Sequence, residues 1–247
     1  MESLRLEENR IRQAYDKRAN ANSRYSLFEQ SQLFRLQQLE RALLALLKLD
    51  GLDSLRSRKI LEIGCGNGYW LRQFIQWGAD PERLTGVDLL EDRVADAKKL
   101  CSSGVKVHRA NAAKLDFPDA SFDLVFQATV FTSILDPDLK KQIAAEMIRV
   151  TRDEGFLLWY DFRFNNPWNA DVQGVKSREI RELFPDCNIT LRRVTLAPPL
   201  ARRLAAYSWL GCCLLEKIPW LCTHYLGLMR KSSMMPHRRS ASQSAHV

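Results

Sequence analysis

The sequence has 247 residues, of which 46% are hydrophobic and 27% are charged. These values are ordinary for a globular chain, and the length allows a sizeable core. The formal net charge is +8, but seven Lys and Arg against one acid (seven minus one gives +6) follow residue 200, so most of the excess lies in the last fifth of the chain. A basic tail supports nucleic-acid binding less than a basic face on the folded body does, so we expect no DNA partner and disfavour RNA.

The cysteines indicate neither disulfides nor a metal site. The six residues show no CxxC pair and no zinc-type spacing with the four histidines. The N-terminal stretch MESLRLEENR is charged from its second residue, unlike a signal peptide, and the longest apolar stretch, around 204–215, is too short and interrupted to cross a bilayer. We therefore expect a cytoplasmic protein, without excluding peripheral contact with the inner membrane face. Residues 232–247 have the composition of a disordered tail.

Two helices are predicted before the first strand. Residues 2–20 are polar with helical spacing, and the apolar positions of 27–47 fit an amphipathic helix that Asp50 and Gly51 end. Together they predict an N-terminal helical cap over residues 1–50.

From residue 59 onward, short apolar strands alternate with helices. Helices are predicted at 69–78, 91–104 and 138–150, and TRDEG (151–155) is predicted as a turn. The predicted strands are KILEIG (59–64), LTGVDL (84–89), VKVHRA (105–110), SFDLVFQ (121–127) and FLLWYDF (156–162). This order predicts a parallel sheet covered on both faces, with ligands bound beyond the carboxyl ends of the strands.

The C-terminal part is less regular. NITLRRVTL (188–196) and HYLGLMRK (224–231) are predicted as two further strands, with a helical, partly apolar insert at about 198–220 between them. We therefore predict an α/β fold of the doubly wound class with a mostly parallel sheet. It spans 51–231, with N-terminal helices before it and the helical insert near its C-terminus.

The stretch EIGCGNG (62–68) places glycines at alternate positions directly after a strand, with an acid two residues before the first glycine. A dinucleotide site needs G-x-G-x-x-G and an anionic ligand at a helix N-terminus, whereas this turn is G-x-G-x-G beside Glu62. An acid suits a cationic ligand. S-adenosylmethionine (SAM) fits because it has an ammonium, a sulfonium and no phosphate. The simpler alternative is a strand-to-helix turn without a ligand.

Several motifs in order resemble one family. EIGCGNG after a strand resembles the first motif of class I SAM-dependent methyltransferases, and Asp88 in TGVDLL ends the second strand. RANAAKLDFPDASFDLVF (109–126) resembles the family's next motif, and the resemblance covers roughly 56–162. It implies SAM as cofactor, no metal, and a Rossmann-like methyltransferase fold with a seven-stranded sheet.

The resemblance also implies which residues hold the cofactor. Asp88 would accept hydrogen bonds from both ribose hydroxyls, although taken alone it could also cap a helix. Asn111 stands where the family has an acid, and its carbonyl could still accept from the adenine amine. The implied cofactor-binding residues are Glu62, Gly64, Cys65, Gly66, Gly68, Asp88, Leu89, Asn111, Ala112 and Gln127.

The acceptor site is predicted from residues near the ends of the fourth and fifth strands. Methyl transfer mainly requires alignment of donor and acceptor, and a base is needed when the acceptor must lose a proton. We predict Asp161 as that base or as an orienting group, with a salt bridge to Arg163 as the alternative. Tyr15 and Tyr25 could close over the cofactor, or be ordinary core or surface tyrosines. The predicted acceptor pocket contains Tyr15, Tyr160, Arg163 and Asn166.

The insert allows two interpretations. It could form a lid over an apolar or lipid-linked acceptor and touch a membrane through its basic end, or it could be a helix packed on the sheet. The predicted function is SAM-dependent O-methylation of a small molecule such as a sugar, an isoprenoid or a secondary metabolite. The alternatives are an RNA or protein methyltransferase, and a SAM-binding partner subunit without catalysis.

Overall fold

The computed structural model describes residues 2–19, 26–166 and 169–231, and within the first helix it describes the side chains of residues 6–15. The predictions made for Tyr25 and for the tail 232–247 therefore lie outside the described residues. None of the described helices is both long and apolar enough to cross a membrane.

The centre of the fold is a seven-stranded sheet in the order β3-β2-β1-β4-β5-β7-β6. Strands β1 to β5 run parallel to one another, and β7 is antiparallel to both β5 and β6. The strands are β1 Ile60–Ile63, β2 Leu84–Asp88, β3 Lys106–Arg109, β4 Phe122–Ala128, β5 Thr151–Phe162, β6 Cys187–Leu196 and β7 Cys222–Lys231. The predicted doubly wound, mostly parallel α/β fold is confirmed.

Helices flank the strands as the alternating pattern predicts. They are α1 Glu2–Ala19, α2 Gln30–Leu49, α3 Tyr69–Gln76, α4 Glu91–Leu100, α5 Pro137–Val150, α6 Ser177–Leu183, α7 Pro198–Leu204 and α8 Trp209–Glu216. Local signals set their starts. For example, the Asp136 carboxylate caps α5 by accepting from the backbone N–H groups of Asp138 and Leu139, and Pro137 occupies the first helical turn.

Two apolar clusters cover the two faces of the sheet. On one face α2, α3 and α4 bury residues such as Leu43, Phe74 and Ala97 against β1, β4 and β5. On the other face α5 and α6 bury Met147 and Ile180 against the same strands. Because both faces are covered, the central strands are almost continuously apolar, and ligands have access at the strand ends.

The predicted turn 151–155 is wrong. Thr151 already pairs with Phe122, and β5 runs from Thr151 through to Phe162. The register shifts between Phe122 and Leu124, and Glu154 has a left-handed φ of 59°. The turn-like residues thus form an irregularity inside a long strand, since a bulge absorbs extra residues without ending the pairing.

The predicted insert at 198–220 consists of three short elements: α7, α8 and a 3-10 turn at Pro219–Leu221. Ser208 caps α8 by accepting a hydrogen bond from Gly211 N at 3.0 Å. A small apolar cluster joins the insert to α2, in which the Phe34 ring meets the Trp209 ring at 5.1 Å between centroids. The insert is therefore packed on the body through α2 and β6.

Candidate functional site

The glycine turn between β1 and α3 is built on left-handed backbone. Gly64, Gly66 and Gly68 have φ of 68°, 54° and 76°, a region that side chains with a Cβ rarely adopt. Gly64 N and Cys65 N both donate to the carbonyl of Val87, at 2.8 and 3.0 Å. Helix α3 then begins at Tyr69, and its N-cap residue, Gly68, provides no side-chain cap. The Glu62 carboxylate is hydrogen-bonded to the backbone of Leu71 in the first turn, and the neighbouring N–H groups can donate to an anionic group such as a carboxylate.

Close packing explains the first glycine of the turn. A Cβ at Gly64 would lie 2.5 Å from Val130 Cγ2, so even alanine would displace the segment that follows β4. At Gly66, by contrast, an added Cβ would meet nothing within 4 Å. The absence of a side chain at Gly64 thus allows the turn after β1 to lie close to the segment after β4. Gly66 faces open space where a ligand can lie.

Glu62 supplies a buried negative group beside this turn. Its side chain is 2% exposed, and its Oε2 has no hydrogen-bond partner among the described residues. Burial, followed by the nearby charge of Asp88, raises the pKa of Glu62 well above its ordinary value. A cationic group would satisfy Oε2 and stabilise the ionised carboxylate, so this position fits the ammonium of SAM.

Asp88 ends β2 with both carboxylate oxygens tied to the backbone. Oδ2 accepts from Gly66 N at 2.8 Å, and Oδ1 accepts from Leu90 N at 2.9 Å. The residue at the N-cap position of α4 is Leu90, so Asp88 does not occupy the cap position. Each oxygen keeps a further lone pair, which fits a pair of adjacent hydroxyls such as those of a ribose.

The larger cavity, of about 570 Å³, opens at the carboxyl ends of β1, β2 and β4. Seven of the predicted site residues line it: Tyr15, Gly64, Gly66, Asp88, Leu89, Asn111 and Ala112. Apolar side chains from other elements, including Val130, Ile134 and Leu139, complete the wall. A slot of this size with a carboxylate at one end and apolar walls suits a nucleoside.

Helix α1 closes one side of the larger cavity. Arg10 Nη2 donates to Ser133 O at 2.5 Å, and Leu135 N donates to Glu7 Oε1 at 2.6 Å. The Asn111 amide donates to the Glu8 carboxylate, while its Oδ1 accepts from Ala113 N at 2.8 Å. Asn111 therefore holds the loop and α1 together, and one lone pair of Oδ1 is left for an adenine amine.

A smaller cavity of about 360 Å³ lies beside the first. The two cavities share three lining residues, Gly64, Ala128 and Thr129. Thr129 has a φ of 60°, unusual for a β-branched residue, so the backbone is strained at this shared wall. The rest of the smaller cavity is lined by Leu27, Gln32, Arg35, Leu36, Glu62, Cys65, Tyr69, Trp70 and Tyr160.

Arg35 brings a positive charge into the smaller cavity. Its Nε donates to Gln32 Oε1 at 3.1 Å. Tyr160, on the cavity wall, makes a hydrogen bond of 3.0 Å with Thr195 Oγ1 and stacks on His224 at 4.6 Å between ring centroids. Burial, and next the charge of Arg35, lowers the pKa of His224 well below its ordinary value. The histidine is therefore neutral at physiological pH.

Two predicted cofactor residues lie away from both cavities. Gln127 is fully buried, with Oε1 accepting from Val130 N at 3.1 Å, so it shapes the loop after β4 rather than facing a ligand. Gly68 starts α3, and an added Cβ there would collide with Cys101 Sγ at 2.4 Å. Cys65 and Glu62 line the smaller cavity instead of the larger one.

Asp161 does not face either cavity. Its side chain is 0% exposed, and it accepts from Thr132 N at 3.1 Å and from Phe162 N at 2.9 Å. Burial raises the pKa of Asp161 to about 7, although these hydrogen bonds and the charge of Lys140 oppose the rise. In this position Asp161 holds the 3-10 turn Phe131–Ser133, which adjoins the larger cavity, and its side chain lines neither cavity.

The four residues predicted for the acceptor pocket do not lie together in one cavity. Arg163 donates to the carbonyls of Pro219 and Cys222, both at 3.2 Å, instead of pairing with Asp161. Asn166 is exposed and lines neither cavity. Tyr15 lines the larger cavity, and Tyr160 lines the smaller one.

Sequence reasoning missed four polar residues of the smaller cavity: Gln32, Arg35, Tyr69 and Thr129. Gln32 and Arg35 lie on α2, whose apolar stripe was visible but whose cavity-facing side carries no motif. Tyr69 donates from its hydroxyl to Glu40 Oε1 at 2.8 Å, which again ties α3 to α2. Among the residues that the structure describes, no group of three or more His, Cys, Asp or Glu could hold a metal ion.

Comparison with known proteins identifies the domain. Residues 60–155 match the family model of a methyltransferase domain. This segment carries the glycine turn, Asp88 and the loop after β4. Together with the fold described above, this match makes residues 60–155 similar to the domain of SAM-dependent methyltransferases, whose cofactor is SAM.

Individual relatives agree with this assignment. A phthiotriol/phenolphthiotriol dimycocerosates methyltransferase of Mycobacterium ulcerans is 32% identical over 136 residues, which are 52% of this chain and 47% of that protein. The chain thus matches about half the length of this relative. A SAM-dependent methyltransferase structure of Thermotoga maritima shares the fold at TM-score 0.61 and 16% identity, covering 89% of this chain and 99% of that one.

The fold by itself does not determine the chemistry. The cyclase SpnF has a similar structure, with TM-score 0.58 and 16% identity over 79% of this chain and 82% of its own. A cyclase catalyses a reaction other than methyl transfer, so the reaction must be argued from the site.

Proposed function

We propose that this chain is an enzyme that transfers the methyl group of SAM to a hydroxyl oxygen of a small, largely apolar molecule. The observation that carries the proposal is the shared wall of the two cavities at Gly64, Ala128 and Thr129. A donor in the larger cavity and an acceptor in the smaller one would meet at this wall. Holding two reactants in line at contact distance is the main task of such an enzyme.

The residues of the larger cavity fit the parts of SAM. Asp88 would bind the ribose hydroxyls, and Asn111 and Ala112 would face the adenine. The first turn of α3 would take the carboxylate, and Glu62, which lies next to the shared wall on the side of the smaller cavity, would take the ammonium. When bound, SAM would supply a methyl group on a sulfonium. An acceptor oxygen that has already lost its proton to solvent would form the C–O bond as the C–S bond breaks, which leaves S-adenosylhomocysteine.

The smaller cavity supports an acceptor with an acidic hydroxyl. Among the residues that the structure describes, its lining includes one cation, Arg35, and no histidine. Glu62 is not a free base there, because burial raises its pKa and its carboxylate would be paired with the ammonium of SAM. The positive charge of Arg35 would instead lower the pKa of a phenolic or enolic acceptor, so that the attacking oxygen is already ionised.

Apolar lining and a relative's name favour an apolar acceptor. Leu27, Leu36 and Trp70 form much of the smaller cavity, which at about 360 Å³ accommodates a ring-sized group. The relative from Mycobacterium ulcerans is named for phthiotriol and phenolphthiotriol dimycocerosates. These observations favour isoprenoid-like or aromatic secondary metabolites over sugars.

Calorimetric titration with SAM is the first test. We expect saturable binding by the wild type and a weakening of about tenfold or more for Asp88→Ala, since two charge-assisted hydrogen bonds to the ribose are lost. Asp96→Ala is the matched control, because Asp96 is an exposed carboxylate on the helix that follows. Equal affinity in all three proteins would contradict the assignment of the larger cavity.

Turnover is then tested with phenols and apolar alcohols. Release of S-adenosylhomocysteine together with a methylated product supports the enzyme. SAM binding without turnover on any phenol, alcohol or RNA would favour a SAM-binding partner subunit. Methylation of RNA or protein but of no small molecule would replace the proposed acceptor class.

A further inference from the structure

We propose that the outward face of the C-terminal insert binds the surface of an anionic lipid bilayer. This insert face is defined by Tyr207, Leu210, Leu214, Ile218 and Trp220, together with the basic residues Arg193, Arg202, Arg203 and Lys217. Lipid binding is independent of methyl transfer, so the two proposals can fail separately.

The apolar side chains of the insert face are far more exposed than folding alone requires. Leu210 is 70% exposed, Trp220 79% and Tyr207 89%, while Leu214 and Ile218 also point outward. Leu210 and Leu214 lie one turn apart on α8, and Tyr207 and Ile218 flank the two ends of this helix; we call these residues the apolar stripe. Contiguous exposed apolar residues mark a surface that another apolar phase covers.

Helix α8 is apolar on its opposite side as well. Cys212 is fully buried, and Trp209 packs edge-on against Phe34 of α2. The inner side therefore satisfies the packing of the helix, and the outer leucines contribute nothing to that core. A short helix with one apolar side on the protein and another facing outward can insert shallowly into the headgroup region.

The charges around the apolar stripe are positive. Arg193, Arg202, Arg203 and Lys217 are exposed, and none forms an ion pair with any residue that the structure describes. The acid in this part of the chain, Glu216, is turned inward, where its carboxylate accepts from Thr195 N at 3.1 Å. The face therefore carries uncompensated positive charge.

Trp220, an apolar residue of the insert face, lies next to one of its basic residues. The Arg193 guanidinium carbon lies 5.6 Å from the centroid of the Trp220 ring, so cation and indole are presented together. Tryptophan with neighbouring arginine is a combination suited to the headgroup level, where the ring is partly apolar and the cation meets phosphate. This arrangement favours a partner whose surface is both negatively charged and amphipathic.

Charge also decides against a second copy of this chain. A symmetric dimer through the insert face would bring Arg202, Arg203 and Lys217 of two copies together, and like charges at an interface oppose association. An anionic bilayer removes that repulsion and covers the apolar stripe at the same time.

Vesicle sedimentation of the full chain tests the proposal. We expect binding to phosphatidylcholine vesicles that contain phosphatidylglycerol, and at least about tenfold weaker binding to phosphatidylcholine alone or at high salt. Leu210→Ser with Trp220→Ser should reduce the partition coefficient by about tenfold or more, and Lys217→Glu should reduce it for anionic vesicles.

Matched controls use exposed residues on α4, at a different part of the surface. Leu100→Ser and Lys98→Glu should leave vesicle binding unchanged, because both residues are exposed and lie outside the insert face. All altered positions are exposed, and calorimetric SAM binding checks that each variant is folded.

Three outcomes would overturn the proposal. Vesicle binding that survives Leu210→Ser with Trp220→Ser would show that the stripe is not the contact. Loss on Arg238→Gln with Arg239→Gln, but not on Lys217→Glu, would assign the effect to the tail. A dimer detected by light scattering and lost on Leu210→Ser would assign the face to chain–chain contact.

Discussion

The two halves of the sheet serve the site in different ways. Around β1, β2 and β4, the strands are parallel and the site residues stand at their carboxyl ends, in turns a few residues long. Around β5, β7 and β6, the order becomes antiparallel and the insert is added between β6 and β7. In the first half, the local backbone geometry of short turns positions the site residues. In the second half, packing against α2, which is distant in sequence, positions the side chains.

This difference predicts how strongly substitutions in each half affect the two cavities. A change in the glycine turn alters the larger cavity directly, because the backbone of the turn forms part of the cavity wall. A change in the smaller cavity acts through side chains of α2 and α3, which can adjust. Substitutions in the first half should therefore have larger effects on the cofactor than substitutions in the second half have on the acceptor.

Gly64→Ala should give the largest effect. The left-handed φ costs about 1–2 kcal/mol, and the collision with Val130 Cγ2 adds a similar amount. We expect the free energy of unfolding to fall by about 3 kcal/mol and the SAM dissociation constant to rise about 100-fold. Urea unfolding and calorimetry measure the two quantities.

Gly51→Ala separates strain from collision. Its φ is 75°, yet an added Cβ would meet nothing within 4 Å. It should therefore cost about 1–2 kcal/mol of stability and leave SAM binding unchanged. Equal SAM affinity for Gly64→Ala and the wild type would contradict the role given to the turn.

Asp161→Asn should change the pH dependence of stability. Because the folded-state pKa of about 7 lies above the ordinary value of 3.8, Asp161 stabilises the fold fully below pH 3.8 and loses that contribution as pH rises toward 7. Between pH 5 and 7.5 this loss amounts to about 2 kcal/mol. In urea unfolding, the free energy of unfolding of the variant should not show this part of the decline with pH.

Asp116→Asn is the control for Asp161, since Asp116 is exposed. Its stability should follow the wild-type pH profile. If Asp161→Asn also retained the full decline between pH 5 and 7.5, the buried carboxylate would not be its source.

Arg35→Met should affect the acceptor and spare the cofactor. We expect kcat/KM for a phenolic acceptor to fall about tenfold, because a charge-assisted contact to the ionised oxygen is lost. The acid limb of the kcat/KM profile should move to higher pH, while the SAM dissociation constant stays the same. Lys48→Met, an exposed change on the same helix, should alter none of these.

Arg10→Met should have the smallest effect. It removes the contacts to Ser133 O and Asp171 O that hold α1 beside the larger cavity. A rise of about fivefold in the SAM dissociation constant is expected, since one charged hydrogen-bonding group is lost at the edge of the site. Arg12→Met, exposed on α1, provides the comparison, and equal affinities in both variants would exclude α1 from the site.

Sequence alone predicted the strand-and-helix alternation and most of the larger cavity. The positions of Gly64, Gly66 and Asp88 in the larger cavity were predictable because they depend on φ, spacing and strand ends, which leave local signals. Gln127 lines neither cavity because its Oε1 accepts from Val130 N, while Thr129 and Val130 line the larger cavity. Arg35 gave no signal, since its position beside Tyr160 depends on how α2 crosses the sheet.

The wall shared by the two cavities has a consequence for inhibitor design. A single compound that joins an adenosine to an aromatic ring would have to cross at Gly64, Ala128 and Thr129. The linker at that point should be slender and short, because the Gly64 backbone and Val130 side chain are in close contact. Selectivity would come from the ring beside Arg35, while the adenosine portion would supply affinity.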